Sequence, residues 1–224
     1  MKLLTGWKAG LVPAALCWCV LGQTPPAKEM PAEARGIPPR ASPADYQAHA
    51  KAGEITIGAE FTEHGLPTAQ GALTTDEYVA VEVGFFGATG ARTTISAQDF
   101  SLRINGKKAA LPSQPYGLVV ANVKDPEWQP PDAPSKSKSK TGINSGGDDG
   151  QGESSGPPPP VVIPIEVQRA MAQRVRAAVL PEGERALPVA GLIFFQYRGK
   201  AKGIHQVELI YAGGAGKATL ALAP

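Results

Sequence analysis

The stretch Leu180 to Tyr197, LPEGERALPVAGLIFFQY, constrains the chain most, because a lead-in full of turn formers runs straight into a dense block of bulky apolar residues. Pro181, Gly183 and Pro188 interrupt any helix there. Leu192 to Phe195 is left as a short apolar run bounded by breakers, the pattern of a buried strand. A chain with such a strand in it must build a sheet around it.

Alternation elsewhere supplies the partners. Between Glu54 and Thr62, Ile55, Ile57, Ala59 and Phe61 share one face, and Thr56, Gly58, Glu60 and Thr62 the other. Tyr78 to Phe86 repeats the pattern with Val79, Val81, Val83 and Phe85 inward, which predicts the sheet centre. Phe100, Leu102 and Ile104 alternate and lead into Asn105-Gly106, the dipeptide best suited to the positive φ angles of a two-residue hairpin, so Lys107 to Leu111 is expected to return as a strand. Tyr116 to Val123 is one more apolar run. Ile204 to Tyr211 and Lys217 to Leu222 add two strands around the turn at Ala212 to Gly216, with Val207, Leu209 and Tyr211 on one face and Ala218, Leu220 and Leu222 on another. Roughly seven short strands is a sandwich number, and 26 Gly and 22 Pro supply its turns.

One segment has a different period. Pro164 suits a helix's first turn, and Ile165 to Val179 follows with Val167, Ala170, Met171, Val175 and Ala178 in one stripe and Glu166, Arg169, Gln173 and Arg176 opposite. Arg174 falls inside the apolar arc. It must snorkel, pair with a carboxylate of its own fold, or meet a partner, together with Arg169 and Arg176.

The fold class predicted is mainly β, an antiparallel immunoglobulin-like β-sandwich with one inserted amphipathic helix and a disordered insertion. Residues 1–22 carry Lys2 and Lys8 ahead of an apolar run from Leu11 to Leu21, the layout of a secretory signal peptide cleaved after Gly22 and too short to span a bilayer permanently. Residues 23–53 are expected to be a flexible Pro- and Ala-rich spacer, with a short helical turn at Asp45 to Ala52. The first half of the sandwich is assigned to 54–125, a disordered linker to 126–160, the helix to 161–180 and the second half to 181–224. The linker has one isolated aliphatic, Ile143, between Pro130 and Pro160, too little apolar area to seed a core.

Charge and cysteine usage narrow the function. The net +2 comes from Lys2 and Lys8, so the chain beyond residue 22 balances 20 basic against 20 acidic residues. Such a balance argues against nucleic acid as a partner. Cys17 and Cys19 both lie in the leader, leaving no thiol downstream. Lys217 follows glycines without the spacing or hydroxyl of a phosphate loop, and Gly84, Gly87 and Gly90 lack the dinucleotide fingerprint. His49, His64 and His205 are isolated, and Asp148, Asp149 and Glu153 lack the alternation of a calcium loop. No cofactor or metal is expected. Asp76, Glu77, Asp99 and Glu182 remain as carboxylates that a fold could bring together.

The pieces YVAVEV at Tyr78 to Val83, SAQDFSLRINGKK at Ser96 to Lys108 and LPEGERALPVAGLIFF at Leu180 to Phe195 resemble small exported immunoglobulin-like domains of bacteria of the DUF4352 kind. That resemblance covers about residues 54 to 222 and implies an exported sandwich with no catalytic residue to carry over. It departs from the pattern at the inserted linker and helix. The function expected is an exported, non-catalytic interaction or envelope-associated module, periplasmic or secreted, meeting another envelope or extracellular protein. The alternative is a carbohydrate-binding or hydrolase domain built from dispersed carboxylates and the aromatics Trp128, Tyr116 and Tyr197. A concave cluster of those groups favours the second reading, and an apolar or basic patch around the helix the first.

Overall fold

The structure, a computed structural model, describes residues 35–129 and 163–224. The leader expected over 1–22, the spacer as far as residue 34 and the linker from 130 to 160 lie outside the described residues. In chain order the elements are β1 (Ala48–Ala52), β2 (Ile55–Phe61), β3 (Gly65–Thr68), β4 (Gly71–Thr75), β5 (Tyr78–Phe86), β6 (Arg92–Ile95), β7 (Phe100–Ile104), β8 (Leu111–Gln114), α1 (Tyr116–Val119) and β9 (Val123–Lys124). After the gap come α2 (Ile165–Ala178), β10 (Gly183–Ala186), β11 (Val189–Gln196), β12 (Val207–Gly213) and β13 (Gly216–Leu222).

The fold is mainly β and antiparallel, a sandwich made by one sheet curling on itself. Eight strands run in the order β1-β2-β5-β11-β8-β7-β12-β13. The two outer strands come round to each other: the Gln47 side chain donates to the Ala223 carbonyl at 2.8 Å. At the far end a side chain on Gly216 would stand 3.1 Å from the Gly53 amide. Near-closure of this kind leaves little free edge.

Alternate residues of each strand fill the interior. Val79, Val81, Val83 and Phe85 of β5 meet Ile57 and Ala59 of β2, Ile193 and Phe195 of β11, Leu102 of β7 and Leu209 of β12, all buried. Phe85, Phe100 and Tyr211 pack as an aromatic trio with ring centres 4.9 to 6.0 Å apart, two of the three contacts edge-on.

A second core covers the outside of the same two central strands. Tyr78 and Ala80 of β5 and Leu192 and Phe194 of β11 face outward, and Met171, Val175 and Ala178 of α2 cover them together with Leu66, Leu73, Val119 and Val123. Of the helix stripe, Met171, Val175 and Ala178 are buried, Val167 packs half-buried against the same cluster, and Ala170 stays exposed. Burial on both faces explains why Leu192 to Phe195 reads as a continuous apolar block rather than an alternating one. The chain leaving α2 completes the join, with the Leu180 amide donating to the Leu192 carbonyl at 3.0 Å.

Several local expectations are corrected. Asp45 to Ala52 is not a helical turn, and the spacer does not extend to residue 53: a 3₁₀ turn at Pro43–Asp45 leads into β1, which pairs with β2. Gly58 and Gly84 stand opposite each other on β2 and β5. A side chain on either would come within 2.6 Å of the Tyr46 ring or hydroxyl, so the bare pair is the slot that seats this segment. Asn105 and Gly106 do take φ of 53° and 63°, but the return strand is β8, paired through Leu102 and Leu111, and not Lys107 to Leu111. The apolar run Tyr116 to Val123 forms α1, a 3₁₀ turn and the start of β9. The turn-rich stretch after β2 holds the β3–β4 hairpin, and β6 pairs with β10. The last two strands begin at Val207 and Gly216.

A candidate docking groove beside helix α2

Asp125 organises this region. It follows β9 directly and starts a tight turn: its Oδ1 accepts from the Glu127 amide at 3.0 Å and its carbonyl from the Trp128 amide at 3.2 Å. An aspartate is favoured at such a position because its short carboxylate satisfies the turn's own backbone. The other carboxylate oxygen, Oδ2, accepts from Arg174 Nη1 at 2.6 Å. Arg174 also donates to the Gln70 carbonyl at 2.8 Å and lies 3.5 Å from the Thr68 hydroxyl. Both side chains of the pair are largely shielded, at 17% and 15% exposure. The charge in the apolar arc of α2 is thus satisfied within the fold, and it ties the helix to the β3–β4 turn and to the turn that carries Trp128.

Between them lies an open groove of about 260 Å³ lined by Lys124, Asp125, Trp128, Ile163, Val167 and Met171. Met171 forms its floor as part of the second core, while Trp128 and Val167 are half-buried. Lys124, at the rim, pairs with Asp76. The groove stands where the described chain ends at Gln129 and resumes at Ile163. Of the three arginines singled out from sequence, Arg174 supports the groove wall; Arg169 is exposed, Arg176 half-buried, and neither lines it.

The aromatics named for a sugar or hydrolase site are separated. Trp128 is in the groove, Tyr116 packs with the outer core, and Tyr197 belongs to the interior cluster with its ring 6.2 Å from that of His64. The carboxylates form two groups. Asp76 pairs with Lys124, and Glu77 with Arg198 at 3.1 Å. Asp99 and Glu182 meet at the other end of the barrel, where burial, and then the Glu182 charge, push the Asp99 carboxyl up from its ordinary value. Glu182 accepts there from the Ala97 amide at 2.9 Å. The buried Tyr211 hydroxyl stands beside Asp99. Among the described residues no three His, Cys, Asp or Glu side chains gather where they could hold a metal ion.

Two further polar clusters hold loops in place. Arg40 reaches across β2 and β5 to Glu60 and, through two nitrogens at 3.2 Å, to Glu82, with its guanidinium 4.6 Å from the Tyr46 ring centre. Burial alone would lower the Arg40 pKa; the two carboxylates more than reverse that and raise it above the usual arginine value. The His64 ring nitrogens stand 2.7 Å from the Tyr78 carbonyl oxygen and 2.9 Å from that of Gly199, joining the turn after β2, the start of β5 and the loop after β11. Sequence reading missed the groove because Asp125 and Trp128 are 49 and 46 residues from Arg174. The aromatic after a Pro-flanked aspartate, in a stretch otherwise lacking large side chains, was the available signal.

No family model, curated protein or solved structure matches this chain. No helix of the described residues is long and apolar enough to cross a membrane.

Proposed function

We propose that the protein is an exported, non-catalytic interaction module that takes an apolar side chain of another envelope or extracellular protein into the groove beside α2. The observation carrying this reading is the apolar lining from Trp128, Ile163, Val167 and Met171, held open by the Arg174–Asp125 pair at 2.6 Å. Open apolar grooves with a polar rim are how helices and loops receive partner side chains, and tryptophan is the residue type most enriched where such contacts are strong. The export reading rests on the leader pattern at 1–22.

Passing native envelope and culture-supernatant fractions over the immobilised full chain tests the proposal. It expects a protein that is retained by the wild type and by Arg169→Ala, and lost with Val167→Glu at an unchanged melting temperature. Retention that does not change with Val167→Glu contradicts it.

A further inference from the structure

The balance of charge along the chain conceals a separation in space. Asn105, in the turn after β7, donates through Nδ2 to the Gly203 carbonyl at 2.7 Å, and its Oδ1 accepts from the His205 and Gln206 amides at 2.8 and 3.2 Å. Its own amide donates to the Gln206 carbonyl at 2.8 Å. Those bonds clamp two loop tips together at one end of the barrel, and the tips carry Lys107, Lys108, Lys200, Lys202 and His205, all exposed. The arginines at this end are already paired, Arg198 with Glu77 and Arg103 with Glu208 at 2.7 Å. Of the nearby acids, Glu208 is taken up by Arg103 and accepts from Gln206 Nε2 at 3.1 Å, while Glu63 and Glu77 stand by β2 and β5 rather than on the tips.

We propose that this end of the barrel is an electrostatic docking surface for an anionic phospholipid bilayer. The choice of partner follows from what the tips offer. Four of their amides are spent internally: those of His205 and Gln206 on Asn105, Gly203 on Lys200 and Lys107 on Ile104. No set of directed donors remains among these for a discrete phosphate, whereas lysines on turns present mobile, hydrated point charges suited to a diffuse negative field. Single-stranded nucleic acid needs aromatic platforms as well as charge. Tyr197, the aromatic of this loop, is packed against the core and His64. The exposed large apolar side chains, Leu118 and Ile165, are on α1 and α2 and not on these tips, so attachment here is by charge and not by insertion.

Co-sedimentation of the full chain with phosphatidylcholine vesicles, with and without phosphatidylglycerol, tests this. Pure phosphatidylcholine reports whatever the apolar run at Leu11 to Leu21 contributes, and the part of the gain on adding phosphatidylglycerol that the tip variants remove reports the tips, apart from leader and linker lysines such as Lys2 and Lys8. Each lysine neutralised should weaken that gain by roughly fivefold. Lys107→Gln with Lys108→Gln, and Lys200→Gln with Lys202→Gln, should each lower it on the order of twentyfold. Lys51→Gln with Lys217→Gln, at the opposite end of the barrel, should leave it unchanged, and salt should abolish it. No gain with phosphatidylglycerol, a gain insensitive to the tip variants, or equally strong tip-dependent binding to soluble heparin would overturn the proposal. The substituted lysines are exposed, so unchanged melting temperatures will confirm that folding is not the variable.

Discussion

Arg174 Nη1 donates at 2.6 Å to one oxygen of the Asp125 carboxylate whose other oxygen accepts from the Glu127 amide at 3.0 Å and so caps the turn bearing Trp128. A residue on the helix thereby fixes the position of an aromatic ring on the opposite wall of the groove. Arg174→Ala leaves a shielded carboxylate without its counter-charge and should destabilise the protein by about 1–3 kcal/mol. Arg174→Lys should recover part of that loss, because lysine restores the charge but not the several directed donors. Thermal or urea melts measure both, and an unmoved melt for Arg174→Ala would contradict the arrangement.

Gly84→Ala places a methyl group 2.4 Å from the Tyr46 hydroxyl and 2.9 Å from Phe86. Expulsion of the Tyr46 ring also frees Arg40, so the change should cost about 1–3 kcal/mol in a urea melt. Protease cleavage between Arg35 and Gln47 should appear together with that loss; a stable variant with an intact N-terminal segment would show that the slot is not filled as described.

Asp99 provides a pH test. Its folded pKa is raised above the ordinary 3.8, first by burial and then by Glu182, so the folded state holds this proton more tightly than the unfolded chain does. The group therefore costs stability above the folded value, and that cost disappears as pH falls through it. Asp99→Asn should melt higher than wild type at neutral pH, with the advantage shrinking to nothing in acid. A variant less stable than wild type at neutral pH would contradict this reading.

His64→Leu removes the contacts to the Tyr78 and Gly199 carbonyls while keeping an apolar body against Tyr197. Amide hydrogen exchange in Gly199 to Gly203 should accelerate on the order of tenfold, while the interior strands β5 and β11 keep their protection. Unchanged exchange in the loop would show that the ring does not hold it.

The parts of this fold legible in the sequence are those where one physical cause acts alone. Val79, Val81, Val83 and Phe85 alternate, and all are fully buried in the interior; Asn105-Gly106 takes the positive φ angles its residue types favour. Arg174 was identifiable as a charge needing a partner, because helical periodicity places it among apolar neighbours. Its partner was not identifiable, since Asp125 reaches it only through the pairing of β4 with β9 and the docking of α2. β1 is hidden in the sequence for a related reason. Alanine-rich AHAKA has no strand propensity of its own, and it becomes a strand because it pairs with β2 and helps close the sheet against β13. Lysines of both loop tips were visible one by one, but their assembly depends on the bonds of Asn105.

A photo-crosslinking residue placed at Val167, inside the groove, tests the central claim most directly when it is compared with the same residue at exposed Thr219 on β13. Irradiation in the native envelope should give, from position 167 alone, an adduct to a second protein mapping to a segment with an apolar side chain. Trp128→Ala should reduce that adduct at least about tenfold. Adducts only to this chain's own residues, or the same adducts from both positions, would contradict the groove as a docking site for a partner.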